Sequence, residues 1–146
     1  MPTSSRFAVA SHVLVAMAMR NGTPLRSEDI ARRARTNPTV IRRLLTMLGR
    51  AGITTSQLGL GGGSLLARAP ERINLLDVYR AVEEPDLFAP PRCPPEETCP
   101  IGGNIGAMLE RHTRRAEAAL EQELAATSLA DLAAEVAEAG KVERRA

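Results

Sequence analysis

The sequence predicts a mainly α fold with a small β-hairpin, a winged helix-turn-helix domain followed by a long C-terminal dimerisation helix. Three observations lead there. Two short amphipathic helices around a brief turn follow a helix that is apolar nearly all round. A glycine-rich stretch between two β-prone segments comes next. A long helical segment with a narrow apolar stripe then occupies the last third. At 146 residues and 44% hydrophobic content, the chain makes one domain with a helical extension and has enough apolar mass for a core.

Residues 5–19 are apolar on every side, which requires a buried helix; Ser4 or Ser5 is the expected cap, and Asn21-Gly22-Thr23-Pro24 the break. In Ser27–Ala34, Ser27 is the expected N-cap, with Glu28 and Asp29 in the first turn where the helix dipole favours acids. Ile30, Ala31 and Ala34 form its inward face, while Arg32, Arg33 and Arg35 stay in water. After Thr36, Asn37 is a good cap and Pro38 suits the first helical position. In the following helix Ile41, Leu44, Leu45 and Leu48 recur on one face, leaving Thr39, Val40, Arg42, Arg43 and Thr46 to project elsewhere; Gly52 stops it. Two such helices behind a buried one read as helix-turn-helix.

Residues 53–56 and 65–67 are β-prone, and 58–64 join them as a hairpin tip, making a wing. Its glycines let backbone amides approach a phosphate without side-chain obstruction. Asn74 caps a helix whose Leu75, Val78, Tyr79 and Val82 face inward. Residues 85–100 hold six of the ten prolines together with Cys93 and Cys99, and form the long irregular loop. A helix over about 101–126 carries the stripe Ile101, Ile105, Met108, Leu109, Ala116, Leu120 and Leu124. Ser128, with Asp131 in the first turn, caps a final short helix, and the tail from Lys141 is expected to fray. The expected division is residues 1–83 as the DNA-binding domain, 84–100 as the Pro/Cys loop, and 101–146 as the dimerisation and C-terminal helices.

The net charge of +2 conceals an asymmetry. Residues 1–72 hold 11 Arg against 3 acidic residues, a balance of +8; residues 73–146 hold 8 basic and 14 acidic residues, a balance of −6. A basic half points to a polyanion, and Arg forks suit phosphate and guanine edges. The recognition end of such a motif enters the major groove, so Thr39, Val40, Arg42 and Arg43 are candidate contacts. The striped helix could pack on its own domain or pair with its copy in a second chain; because a single such module rarely grips DNA alone, the expected reading is a dimer seam with a second copy as partner. The opposing reading is a winged-helix protein-interaction module, in which packing would neutralise Arg32, Arg42, Arg43 and Arg68.

Other classes fall away. Three aromatics are too few for a base-stacking platform. No apolar run spans a membrane, and residues 1–6 lack the order of a signal peptide, so the expected location is cytoplasmic and no membrane partner is expected. Gly59-x-Gly61-x-x-Ser64 is not a complete dinucleotide fingerprint, and no nucleotide-binding, zinc-protease or hydrolase motif occurs, so no enzyme is expected. Cys93 and Cys99 could close a redox disulfide, hold iron with ligands from elsewhere, or be idle thiols. His12 reads as a structural histidine, and His112 as solvated or at the dimer seam.

Together, SSRFAVASHVL, TNPTVIRRLLTMLGRAGI, GLGGGSLLARAPERINLLDVYRAVE and CPIGGNI resemble the Rrf2 family of bacterial regulators over residues 3 to about 135, with the YwnA-like branch most alike. The resemblance implies a homodimeric winged-helix transcriptional regulator, usually a repressor, on a palindromic or pseudo-palindromic operator in double-stranded DNA. Its recognition helix enters the major groove and its wing the minor groove. Carried over, the DNA-contacting positions are Asn37, Thr39, Val40, Arg42 and Arg43 with wing residues Gly61, Gly62, Gly63 and Ser64; Ser5, Arg6 and Ser27 complete the candidate set. Where relatives place an Arg before the wing glycines, this chain has Leu58. Metal-sensing members hold a [2Fe–2S] cluster through three loop cysteines and a fourth ligand. Cys93 and Cys99 match the first two, Ile105 stands at the third, and a cluster would have to draw on His12 of the partner subunit. The YwnA-like branch implies no cofactor. The alternative is a thiol-redox or iron–sulfur switch through Cys93 and Cys99; a small-molecule effector between the dimer helices is a further open partner.

Overall fold

The computed structural model describes residues 4–84, 87–89 and 98–145, the last without side-chain detail beyond 141. Its element order is α1 (Arg6–Ala18), α2 (Ser27–Arg33), α3 (Pro38–Arg50), β1 (Thr54–Gln57), β2 (Gly63–Leu66), a 3₁₀ turn (Pro70–Arg72), α4 (Leu75–Val82), α5 (Gly102–Ala125) and α6 (Leu129–Arg145). The fold is the mainly helical winged helix-turn-helix that the pattern predicts.

One core holds the described chain together. α1 contributes Ala10, Val13, Leu14, Val15 and Met17; α2 adds Ile30 and Ala31; α3 adds Ile41, Leu44 and Leu48. Ile53, Ile73, Val78 and Val82 close it. Leu129 of α6, fully buried, joins the same cluster, so the core runs across the expected boundary between residues 1–83 and 101–146. Backbone bonds stitch the two sides, with the Leu75 N–H donating to the Thr127 carbonyl at 3.0 Å and the Leu129 N–H to the Ile73 carbonyl at 2.7 Å.

Local chemistry explains most element ends. The Asn37 side chain accepts the Thr39 N–H at 2.8 Å and Pro38 fills the first helical position, as the sequence predicts. α3 ends in a Schellman turn: Gly52 sits at φ +69°, and the Ile53 N–H donates to the Leu48 carbonyl at 2.9 Å, bringing two fully buried side chains together. Asn74 and Asp77 form a capping box on α4, and Ser128 and Asp131 bond reciprocally in the same way at α6.

Several expectations need correction. Neither Ser4 nor Ser5 caps α1 through its side chain alone: the half-buried carboxylate of Glu83, at the end of α4, accepts the Phe7 N–H at 3.0 Å and the Ser4 hydroxyl at 2.8 Å. A tertiary neighbour supplies this acceptor, which the local sequence cannot reveal. Ser27 is the first residue of α2 rather than its cap; Arg26 precedes the helix in extended conformation. The strands begin one and two residues away from the expected 53 and 65, because Ile53 is drawn into the core as the end of the Schellman turn. Leu25 adds a one-residue bridge to Ser64, giving the wing a third edge. α6 is not short and does not end before Lys141; its Leu132 and Ala133 pack on the core, and its Ala, Glu and Arg content favours continued helix.

Candidate nucleic-acid interface

α3 lies with its Ile41, Leu44 and Leu48 face on the core and its Thr39, Val40, Arg42, Arg43 and Thr46 face exposed. The exposed face meets the wing at β1, where the Thr54 hydroxyl donates to the Leu45 carbonyl at 3.4 Å. Between them opens a cavity of about 360 Å³ lined by Ser27, Arg42, Leu45, Thr46, Gly49, Thr54, Thr55, Ser56 and Ser64. Six of these nine residues carry hydroxyls and one a guanidinium; the Thr46 and Thr54 hydroxyls already donate to the Arg42 and Leu45 carbonyls, which leaves Ser27, Thr55, Ser56, Ser64 and Arg42 as donors suited to phosphate oxygens. The fold thus brings Ser27, Arg42 and Ser64, separated in sequence, onto one concave surface.

Arg42 is held from the side. Its guanidinium donates to the Glu28 carboxylate at the start of α2. The Glu28 carboxyl stays below its ordinary 4.5, first because its own backbone N–H bonds it and second because Arg42 does. Sequence reasoning missed this partner; fourteen residues separate the two, and only the α2–α3 turn brings them together. That turn places Arg35 at φ +50°, with the Thr36 N–H donating to the Ala31 carbonyl at 2.9 Å. Arg32 pairs with Asp29, and Arg68 lies 3.6 Å from Asp77. Among the described residues, Arg26, Arg33, Arg35, Arg43 and Arg50 enter no ion pair.

The other candidates lie as follows. Asn37 is exposed and its side-chain oxygen is committed to the cap. Arg6 stands apart from the α3 face, bonded to Glu83 at 3.2 Å and beside Glu84 at 3.8 Å; its neighbour Ser5 is exposed. In the wing, the Gly62 N–H donates to the Gly59 carbonyl and the Ser64 N–H to the Leu25 carbonyl, so those two amides serve the fold. A Cβ at Gly62 would lie 2.2 Å from the Gln57 carbonyl oxygen, and one at Gly63 2.6 Å from that of Leu25. Close backbone approach therefore explains both glycines without any ligand. Gly61, at φ +75°, is exposed at the tip.

Cys93 lies outside the described residues. Cys99 is half-buried just before α5, and its sulfur accepts the Gly102 N–H at 3.3 Å. Ile105 is exposed on α5 and has no donor atom, and His12 is exposed on α1 at a groove of about 330 Å³ against Leu132 and Val136. Among the described residues no group of three His, Cys, Asp or Glu side chains is placed to hold a metal. The [2Fe–2S] cluster of the resembled family takes three loop cysteines, whereas the sequence has two in all and Ile105, which carries no donor atom, at the third position; the residues do not fit that donor set. Among the same residues, no helix is long and apolar enough to cross a membrane.

Comparison with known proteins agrees with this geometry. The family model Rrf2, described as an iron-dependent transcriptional regulator, matches residues 3–135. The chain is 40% identical over 129 residues to the HTH-type transcriptional regulator YwnA of Bacillus subtilis, covering 88% of this chain and 95% of YwnA. A solved structure described as a DNA-binding protein superposes with a TM-score of 0.71 at 38% identity, covering 88% of this chain and 98% of the other. IscR of T. potens, at 22% identity, shares the fold with a TM-score of 0.71 over 95% of this chain and 90% of its own.

Proposed function

The chain belongs to the Rrf2 family of transcriptional regulators, and from that premise we propose that it is a cytoplasmic repressor that binds a palindromic or pseudo-palindromic operator as a homodimer. Its family is one of DNA-binding regulators and not of enzymes. In this reading Thr39, Val40, Arg42 and Arg43 enter the major groove from the start of α3. Asn37 flanks them and fixes the helix end. The hydroxyl-lined cavity beside Arg42 receives the phosphate strand that runs between the major groove and the wing.

The observation that carries the dimer is α5. It has 24 residues and none is fully buried; Ile105, Met108 and Leu109 in its first half face solvent, as does Ile101 just before it. A helix about 36 Å long whose first half is left uncovered by its own chain would find its packing in a second copy. Its far half touches α4, where Arg80 and Glu121 pair at 2.9 Å. A twofold dimer then sets the two α3 helices about 34–36 Å apart, one turn of duplex.

The protein-interaction reading requires neutralised arginines. Arg32 and Arg42 have acidic partners, but these pairs are exposed and weak, so duplex phosphates can replace them; Arg68 lies in a half-buried pair with Asp77, and Arg43 has no partner among the described residues. Arg6, tied to Glu83, serves the α1–α4 joint first and has the weakest claim among the candidates. Light scattering together with gel-shift titrations across salt tests the proposal. A dimer whose affinity falls as salt rises is expected; a monomer, or a salt-insensitive complex, would refute it.

A further inference from the structure

The two acids at the start of α2 are used differently. Glu28 and Asp29 both stand in its first turn, where the helix dipole favours either. Asp29 takes a local partner, Arg32, three residues on. Glu28 reaches across the turn of the motif to Arg42, fourteen residues away on the face of α3 that the core leaves exposed. A first-turn acid needs no such partner to serve its own helix. Both side chains are exposed, so the pair adds little to stability; its consequence lies in what Arg42 can bind. Arg43, the next residue along, enters no ion pair among the described residues. Two adjacent arginines on one exposed face are thus prepared differently, one engaged by a carboxylate and the other free.

The Glu28 carboxylate accepts from Nη2 of Arg42. That takes one of the five N–H donors of the fork, and whichever Nη2 hydrogen is used, one two-donor edge remains. Arg42 borders the hydroxyl-lined cavity and Glu28 does not. The Glu28 carboxyl lies below its ordinary value, through its own backbone N–H and then through Arg42, so it is ionised at neutral pH and the pair carries no net charge. We propose that Glu28 is a specificity-determining residue that acts through Arg42, withholding this arginine from general phosphate capture and positioning its remaining edge for the O6 and N7 of a guanine. The inference rests on the DNA-binding reading above. An unrestrained arginine gains affinity on any duplex by meeting a phosphate, without discrimination. Arg42 must give up its acid to do so, and the carboxylate is then left beside the phosphate strand, a like-charge contact that costs on every sequence. A guanine edge imposes no such choice, because its two acceptors take the free edge while Glu28 keeps its bond.

The probes are a duplex selected from a random-sequence pool by the wild-type protein and a scrambled duplex of the same composition, with Kd for each measured across a salt series. Glu28→Gln keeps the size of the side chain and drops its charge. It should bind the scrambled duplex about threefold to tenfold more tightly, with a slope of log K against log salt steeper by about 1. The preference for the selected duplex should shrink about tenfold. In an Arg42→Ala background the same substitution should leave that preference unchanged, which separates Arg42 from Arg26, whose charge also reaches Glu28. An acid that only steadied α2 would instead lower the melting temperature and weaken both duplexes alike, and that result overturns the proposal. An unchanged preference and slope, in a protein whose wild type still selects a duplex, overturns it and leaves the DNA-binding reading standing. A preference that shrinks equally without Arg42 overturns it as well. If wild type selects no duplex, the DNA-binding reading itself falls and this inference with it.

Discussion

α3 and α5 are both amphipathic, and they satisfy their apolar faces in different ways. α3 has 13 residues and buries Ile41, Leu44 and Leu48 in its own chain. α5 has 24 residues and buries none. α3 is fixed by a Pro–Asn start, a Schellman end and the core beneath it. α5 begins without a side-chain cap and leaves its first apolar side chains in solvent. The difference shows that periodicity marks a face that must be covered but does not say by whom. α3 finds its cover within its own chain; the first half of α5 does not, and the proposed dimer would supply it.

That contrast can be attacked at either end. The largest effect is expected from Ile105→Asp combined with Leu109→Asp. Charges placed in the seam should give a monomer by light scattering, and operator affinity should drop toward the non-specific level, about 10³-fold. A dimer that survives both substitutions would place the interface elsewhere. Next comes Leu48→Ala. It opens a cavity under α3 and should cost about 2–5 kcal/mol in denaturant unfolding, whereas Met108→Ala on exposed α5 should leave the stability of an isolated subunit nearly unchanged. Equal costs would erase the distinction between the helices. Arg43→Ala changes neither packing nor assembly and should weaken operator binding by about 1–3 kcal/mol. Unchanged affinity removes it from the interface.

The smallest effects concern α6, which joins the two regions. Ser128→Ala removes the hydroxyl that accepts the Asp131 N–H at 3.0 Å and should cost about 1 kcal/mol. The Asp131 carboxyl lies below its ordinary 3.8 because the Ser128 hydroxyl and then the Ser128 N–H bond it. Being lowered in the folded state, it stabilises above that ordinary value, and the contribution is lost as pH falls through the folded value. Melting temperature should therefore decline as pH drops below about 4, less in Ser128→Ala than in wild type. An identical acid profile in the variant would remove this pair from the account.

Much of the winged helix was legible because its signals are local. Asn37-Pro38, Gly52 and the caps Asn74 and Ser128 all act within four residues and stand where the pattern predicts, with Asp77 and Asp131 completing the two boxes. What escaped involves residues far apart in sequence. Glu83 capping α1, Leu25 pairing with Ser64, Glu28 holding Arg42 and Leu129 entering the core all depend on where separate elements meet. The candidate interface divides the same way. The α3 face could be read from the 3.6-residue period, but its union with Ser27 and Ser64 in one cavity could not. The wing glycines were read as openings for phosphate, and the structure gives Gly62 and Gly63 a steric reason of their own.

The sequence by itself determined the helices, their order, the charge asymmetry and the narrow apolar stripe of α5, because periodicity, capping and net charge are properties of neighbouring residues. Only the tertiary structure decided which arginines are already paired, which glycine amides are already spent, and that Leu58 and Leu60 of the wing stay in solvent. Those depend on distances of a few ångströms between elements, which the packing of the shared core sets.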